Sequence, residues 1–175
     1  MRILVDHSGY ALLNIGDIAM LQACVRRLQI LWPDAEIQVF TESTERLEEY
    51  CPGVIAVAST IVGRRAAAIA PVPLQLGAEH IWKIIMPFLA RSRHRLASAD
   101  LGSKPCRVLE AVREADLVVS SGGGFVNDTF WWHGSGVLSV LAMAQRLGKP
   151  TAMFGQGIGP LTHPVLARQI GRAHV

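Results

Sequence analysis

Short apolar runs alternate along this chain with stretches whose apolar residues recur every three or four positions. Arg2 to His7 reads as a strand, and after a turn-rich segment Ile18, Leu21, Val25 and Leu28 fall on one side of a helix. A second strand, Glu36 to Thr41, precedes a charged helix from Thr44 to Tyr50, and Pro52-Gly53 breaks the chain before a third apolar run, Val54 to Ala58. Residues 59 to 78 are rich in alanine, proline and glycine without a period, which predicts a long loop or an irregular excursion. Ile81, Ile84, Ile85, Phe88 and Leu89 then return to helical spacing. Arg107 to Ala115 predicts a helix, Asp116 to Ser121 a strand, Gly136 to Leu147 a helix and Thr151 to Phe154 a strand. Strands alternating with helices imply an α/β fold, a parallel sheet with helices on both faces. No internal repeat or low-complexity segment interrupts it.

Composition supports one buried core. The chain has 175 residues, of which 50% are apolar and 18% charged, a balance that excludes disorder and suits a single domain. Cys24, Cys51 and Cys106 are far apart and form no C-x-x-C pair or Cys/His cluster, so a reducing, cytoplasmic setting is expected and a metal site is not. The N-terminus reaches Asp6 after three apolar residues, too soon for a signal peptide. The greasiest stretch, Ile81 to Ala90, carries Lys83 and Pro87 and falls short of the ~20 apolar residues of a membrane span.

Charge changes the picture in the middle of the chain. Residues 1 to 60 hold 4 basic and 8 acidic side chains, whereas residues 61 to 115 hold 9 and 4. The densest cluster, Arg91, Arg93, His94 and Arg95, follows the helical apolar stripe. It would suit a peripheral contact with anionic lipid on the inner membrane face, or a phosphate-bearing substrate. It would suit still better a solvated helix end whose arginines complement the dipole. No nucleic-acid-binding pattern accompanies it.

The candidate chemistry sits where strands end, which is where open α/β sheets place their ligands. After the first strand comes Asn14-Ile15-Gly16-Asp17, where Asn14 can cap a helix and Asp17 can complete a capping-box variant. The functional alternative makes Asp17 a general base, or an acceptor of hydrogen bonds from substrate hydroxyls. After the Leu117-Val118-Val119 strand comes Ser121-Gly122-Gly123-Gly124, with Asn127 and Asp128 at the same rim. Three glycines remove every Cβ, permit positive φ and let a ligand approach main-chain N–H groups, although a close crossing of two backbones would demand the same. Asn127 and Asp128 can meet substrate or simply form turns.

A third turn, Gly155-Gln156-Gly157-Ile158-Gly159-Pro160, lacks the spacing of the dinucleotide fingerprint. Gln156 can bond a ligand there or tie the loop to its neighbour. A P-loop, a G-x-S-x-G elbow and an H-E-x-x-H helix are all missing from the sequence. The six histidines are scattered, and Trp131 and Trp132, just before His133, would stack on a sugar ring or pack in a core or interface.

The order of the three turns, N-x-G-D, then S-G-G-G-x-x-x-D, then G-Q-G-I-G-P-L, resembles the polysaccharide pyruvyl transferase family. The resemblance runs from Arg2 to about Gln169 and rests on Asn14, Gly16, Asp17, Gly122, Gly123, Gly124, Gly155, Gln156, Gly157, Gly159 and Pro160. Residues 59 to 106 contribute little to it. It implies a Rossmann-like domain over residues 1–169, the N-terminal half of a two-domain fold similar to glycosyltransferase B. It also implies transfer of a pyruvyl group from phosphoenolpyruvate, as co-substrate rather than cofactor, to two hydroxyls of a glycan or lipid-linked sugar in cell-surface polysaccharide synthesis. Acceptor-binding residues would then come from Asn14, Gly16, the three glycines, Asn127, Asp128, Gln156 and Gly157, with Asp17 as candidate catalytic residue. The histidine and arginines that hold the donor are expected in a second half beyond this chain, so the chain alone is expected to be inactive. Residues 170–175, Ile-Gly-Arg-Ala-His-Val, look like a translated sequencing adapter and are expected to be a non-native tail. Two readings stay beside this one: a nucleotide-sugar glycosyltransferase, and a non-catalytic carbohydrate-binding module.

Overall fold

The computed structural model describes residues 1–59 and 103–172. The loop expected at 59–78, apart from Ser59, and the basic helix with its Arg91 to Arg95 cluster lie outside the described residues, as do 173–175 at the end of the expected tail. The described elements are β1 (Arg2–Asp6), α1 (Ile15–Leu31), β2 (Glu36–Thr41), α2 (Thr44–Tyr50), β3 (Ile55–Ala58), α3 (Ser103–Glu114) and β4 (Leu117–Ser120). There follow β5 (Gly123–Val126), α4 (Trp131–Arg146), β6 (Thr151–Met153), β7 (Gln156–Ile158) and α5 (Pro164–Arg172).

Five strands form one parallel sheet in the order β3-β2-β1-β4-β6, the Rossmann-like arrangement. Its central strands are mostly apolar because both faces are covered, with Gln38 the polar exception inside β2. Successive side chains alternate between the two layers: Ile3, Val5, Val39, Leu117 and Val119 pack with Ile18, Leu21, Val25 and Leu28 of α1 and Leu47 of α2. Leu4, Phe40 and Val118 turn to the other side and meet Val108 and Val112 of α3, Val137 and Leu141 of α4, and Leu166 of α5. Each such fully buried aliphatic side chain stabilises the fold by roughly 1.5–3 kcal/mol. No helix among the described residues is long and apolar enough to cross a membrane.

The strand and helix pattern read from the sequence holds in β1, α1, β2, α2, β3, β4 and β6. Three elements were not expected from it: β5, β7 and α5. The glycine-rich turns at 122–124 and 155–157 are, in large part, strands. They pair with each other as a separate two-stranded parallel ladder, Gly123 with Gln156 and Val126 with Ile158. The main sheet pairs Val118 with Thr151. The Gly123–Gln156 pair keeps the 33-residue spacing of the main-sheet pairs, so β5 and β7 take up the register of β4 and β6 across a break, and a shift by one residue follows before Val126. None of the three adjacent glycines uses the positive φ open to it; within these turns the left-handed positions are Gly155 at 57° and Gly159 at 111°.

α4 begins at Trp131 rather than Gly136, and Gly134 shows why. A Cβ there would lie 2.8 Å from the Phe125 carbonyl oxygen, so its glycine lets the first turn of α4 settle on β5. α5 opens on Pro164, whose missing N–H is no loss at a helix start. It buries Leu166 against the core, and Ile170, in the stretch expected to be a tail, packs against the same cluster.

Candidate functional site

The first wall of the site is the corner between β1 and α1. Asn14 is the N-cap of α1, its Oδ1 accepting from the Gly16 N–H at 2.9 Å. A Cβ on Gly16 would come within 3.3 Å of that oxygen, a tight contact that the Asn14 side chain would have to shift to relieve. Asp17, in the first turn, reaches not toward Asn14 but to the preceding loop, where Ser8 donates its hydroxyl to Asp17 Oδ1 at 2.6 Å. Gly9 makes room for this: a Cβ there would lie 2.9 Å from both Cβ and Oδ2 of Asp17. The carboxylate is half-buried at the strand-end edge of the sheet, where an acidic group also meets the positive end of α1. A carboxylate so placed can take a proton from an approaching hydroxyl.

The second wall is the crossing where β4 and β6 run on into β5 and β7. Gly122 is there for close packing, since a Cβ on it would sit 2.9 Å from the Gly155 carbonyl oxygen and 3.0 Å from that of Phe154. Gly123 is there for the Phe125 ring, whose Cδ1 a Cβ would meet at 2.6 Å. Gly124 has neither reason. It is exposed, and nothing lies within 4 Å of where its Cβ would be. Gln156 ties the crossing together, donating from Nε2 to the Gly123 carbonyl at 2.5 Å and to that of Gly157 at 3.1 Å. Gly157 is exposed beside it, 3.6 Å from Gly123 O and Gly124 Cα at the Cβ position, ordinary contact that does not require glycine.

The two walls meet. Ser8 Oγ lies 3.5 Å from the Cβ position of Gly123, so a chain of contacts runs from Asp17 through Ser8 and Gly123 to Gln156. Asn14, Gly16, Asp17, Gly122, Gly123, Gly124 and Gln156 are thus gathered at one edge of the sheet. Ser8 is the member that sequence reasoning missed, because a lone serine in a turn-rich loop carries no signal of its own.

Asn127 and Asp128 are turned to the fold instead. Asn127 donates to the Gly124 carbonyl and accepts from the Phe130 N–H at 3.0 Å, closing the turn into α4. Asp128 receives the Thr162 N–H at 2.9 Å and hydroxyl at 2.5 Å on Oδ2, and the His163 N–H at 2.9 Å on Oδ1. The Thr162 hydroxyl, then the His163 and Thr162 amides, hold its carboxyl below the usual carboxylate range. Both oxygens serve the start of α5. Trp131 packs flat on His163, ring centres 4.3 Å apart at 12°, whereas Trp132 stands edge-on to Trp131 and stays 49% exposed. His133 fits between Phe125 and Tyr10, at 4.9 and 5.2 Å.

Other chemistries find no support among the described residues. Burial, and then the neighbouring Cys51, pushes the Cys24 thiol up to about 12, which keeps it protonated and inert at neutral pH. No cluster of three histidine, cysteine or carboxylate side chains suited to a metal ion occurs among them. One cation does reach the first wall: Arg46, at the start of α2, donates to the Ala11 carbonyl at 2.9 Å.

Compared with known proteins, residues 14–173 match a family model described as polysaccharide pyruvyl transferase, which covers most of the chain. A search of curated proteins finds no match.

Proposed function

Since the chain belongs to the polysaccharide pyruvyl transferase family, we propose that the edge formed by Asp17, Ser8, Gly124 and Gln156 holds a sugar acceptor for pyruvyl transfer from phosphoenolpyruvate. In that reaction C2 of the enolpyruvyl group gains bonds to two sugar oxygens and C3 is protonated to a methyl. Phosphate leaves, taking up the second hydroxyl proton. The chemistry needs a base near the attacking hydroxyl, a proton for C3, and cations around the phosphate and carboxylate. Asp17, held by Ser8 at 2.6 Å, is suited to the first task. The exposed backbone at Gly124 leaves room for the sugar.

The donor site belongs, on this proposal, to a second half outside this chain, which leaves the chain alone without turnover. The product is a ketal on a glycan or lipid-linked sugar, made for a cell-surface polysaccharide on the cytoplasmic side of the membrane. The observation that carries the proposal is the family match together with the meeting of all three motif turns at one sheet edge.

The test compares this chain with one extended by the coding sequence downstream of it. Both are incubated with phosphoenolpyruvate and lipid-linked or oligosaccharide acceptors, following phosphate release and ketal mass. Acceptor-dependent release with ketal is expected from the extended chain only. Ketal formed by the 175-residue chain would place the donor site within it. Consumption of a nucleotide-sugar by the extended chain, without ketal, would favour the glycosyltransferase reading.

A further inference from the structure

Beyond Gly124 the chain presents two large aromatic side chains to solvent, Phe130 at 55% and Trp132 at 49% exposure. They stand in a braced frame. Asn127 joins the Gly124 carbonyl to the Phe130 amide, so the open glycine and the first aromatic are fixed to one another. Behind Trp132 stands Trp131, edge-on at 5.5 Å, itself stacked on His163 at 4.3 Å. His163 is in turn pinned through its amide by Asp128 at 2.9 Å. Three residues thus serve to hold an indole that is left half uncovered.

Leaving such rings in water forgoes burial that a polar residue would not sacrifice. Of the three adjacent glycines, only Gly124 is needed for no contact within the fold. An aromatic face next to an accessible backbone matches one ligand class, a sugar ring, whose C–H face stacks on the aromatic while its hydroxyls reach polar groups. We propose that Trp132 forms a stacking platform for a pyranose ring of the acceptor glycan, with Asp128, His163 and Trp131 as positioning residues that set the angle of the indole. The choice of a sugar as ligand rests on the transferase reading above.

The test uses the chain with fluorine-labelled tryptophan, whose four indoles, Trp32, Trp82, Trp131 and Trp132, are assigned by single substitution. Methyl pyranosides of glucose, galactose and mannose, and their β-linked disaccharides, are titrated without phosphoenolpyruvate; open-chain sorbitol is the control. At least one glycoside is expected to move the Trp132 resonance saturably, and sorbitol is not. Trp132→Ala is expected to weaken that binding about tenfold, with Trp132→Phe recovering most of it. Unaltered melting of both variants shows that the fold is kept.

No saturable shift with any glycoside, or equal binding by Trp132→Ala and the unsubstituted chain, would overturn the platform. Because no donor is present, the two readings fail separately. Sugar binding at Trp132 in a protein that makes no ketal upholds the platform and removes the transfer reaction. Ketal formation with sugar binding indifferent to Trp132→Ala does the reverse.

Discussion

At the β1–α1 corner the polar contacts involve side chains, Ser8 to Asp17 and Asn14 to the Gly16 amide. Where β4 and β6 run on into β5 and β7, closeness of backbones dominates, with Gly122 against the carbonyls of Phe154 and Gly155. Both places follow strand ends and both are rich in glycine. The corner places a titratable group at the edge of the sheet; the crossing places main chain there. A glycine-rich turn therefore carries two separable meanings, and the space around each missing Cβ tells them apart.

The widest expected separation between the two regions is in catalysis. In a transfer-competent chain, Asp17→Asn is expected to lower turnover by about 10²–10⁴-fold, the usual worth of a positioned base. Its melting should change little, because an amide oxygen can still accept from Ser8. Normal turnover with a depressed melting temperature would return Asp17 to a purely structural role.

Within the crossing, Gly122→Ala is expected to destabilise the chain by about 1–3 kcal/mol, since the new methyl meets backbone that cannot move aside. Gly124→Ala should change stability by less than about 0.5 kcal/mol, as for an open surface position, while weakening sugar binding. Denaturant melts of the pair measure the contrast. Equal losses at the two positions would erase the distinction drawn between them.

At the corner, Asn14→Ala removes the side-chain cap of α1 and should cost about 0.5–2 kcal/mol, read in the same melts. A smaller and pH-dependent effect belongs to Asp128. Its folded carboxyl is held below its ordinary range by Thr162 and His163. Its contribution to stability is therefore fully present above the unfolded value of about 3.9 and is lost as pH falls through the lower, folded one. Asp128→Ala should melt lower near neutrality and converge with the unsubstituted chain in acid. A constant gap between the two down to low pH would mean that Asp128 acts without its charge.

The sequence made the main sheet legible because Ile3 to Val5 and Leu117 to Val119 are buried apolar runs between turn signals, and Ile37, Val39 and Phe40 make a third interrupted only by Gln38. The helices over them were legible from their apolar spacing. What stayed hidden has a common cause. β5 and β7 contain glycines that no strand propensity favours, and they are strands because β4 and β6 hand them a register. The signal that starts α5 comes from Asp128, 35 residues before His163, so a local search for a capping residue finds nothing. Asn127 and Asp128 read equally as ligands or turn formers until their partners were visible. The gathering of the candidate site was legible only from the rule that ligands collect at strand ends, and Ser8, which joins its two walls, was not.

The claim at the centre is that the corner and the crossing form one sugar-binding wall at the strand-end edge. Amide chemical-shift mapping of the isotopically labelled chain during titration with the glycoside that binds best tests it most directly. Saturable shifts should cluster at Ser8, Asp17, Gly124, Gln156 and Trp132, with the opposite edge of the sheet, at Asp34, Asp116 and Lys149, unmoved. Shifts centred on that opposite edge, with the amides of Gly124 and Gln156 unchanged, would contradict it.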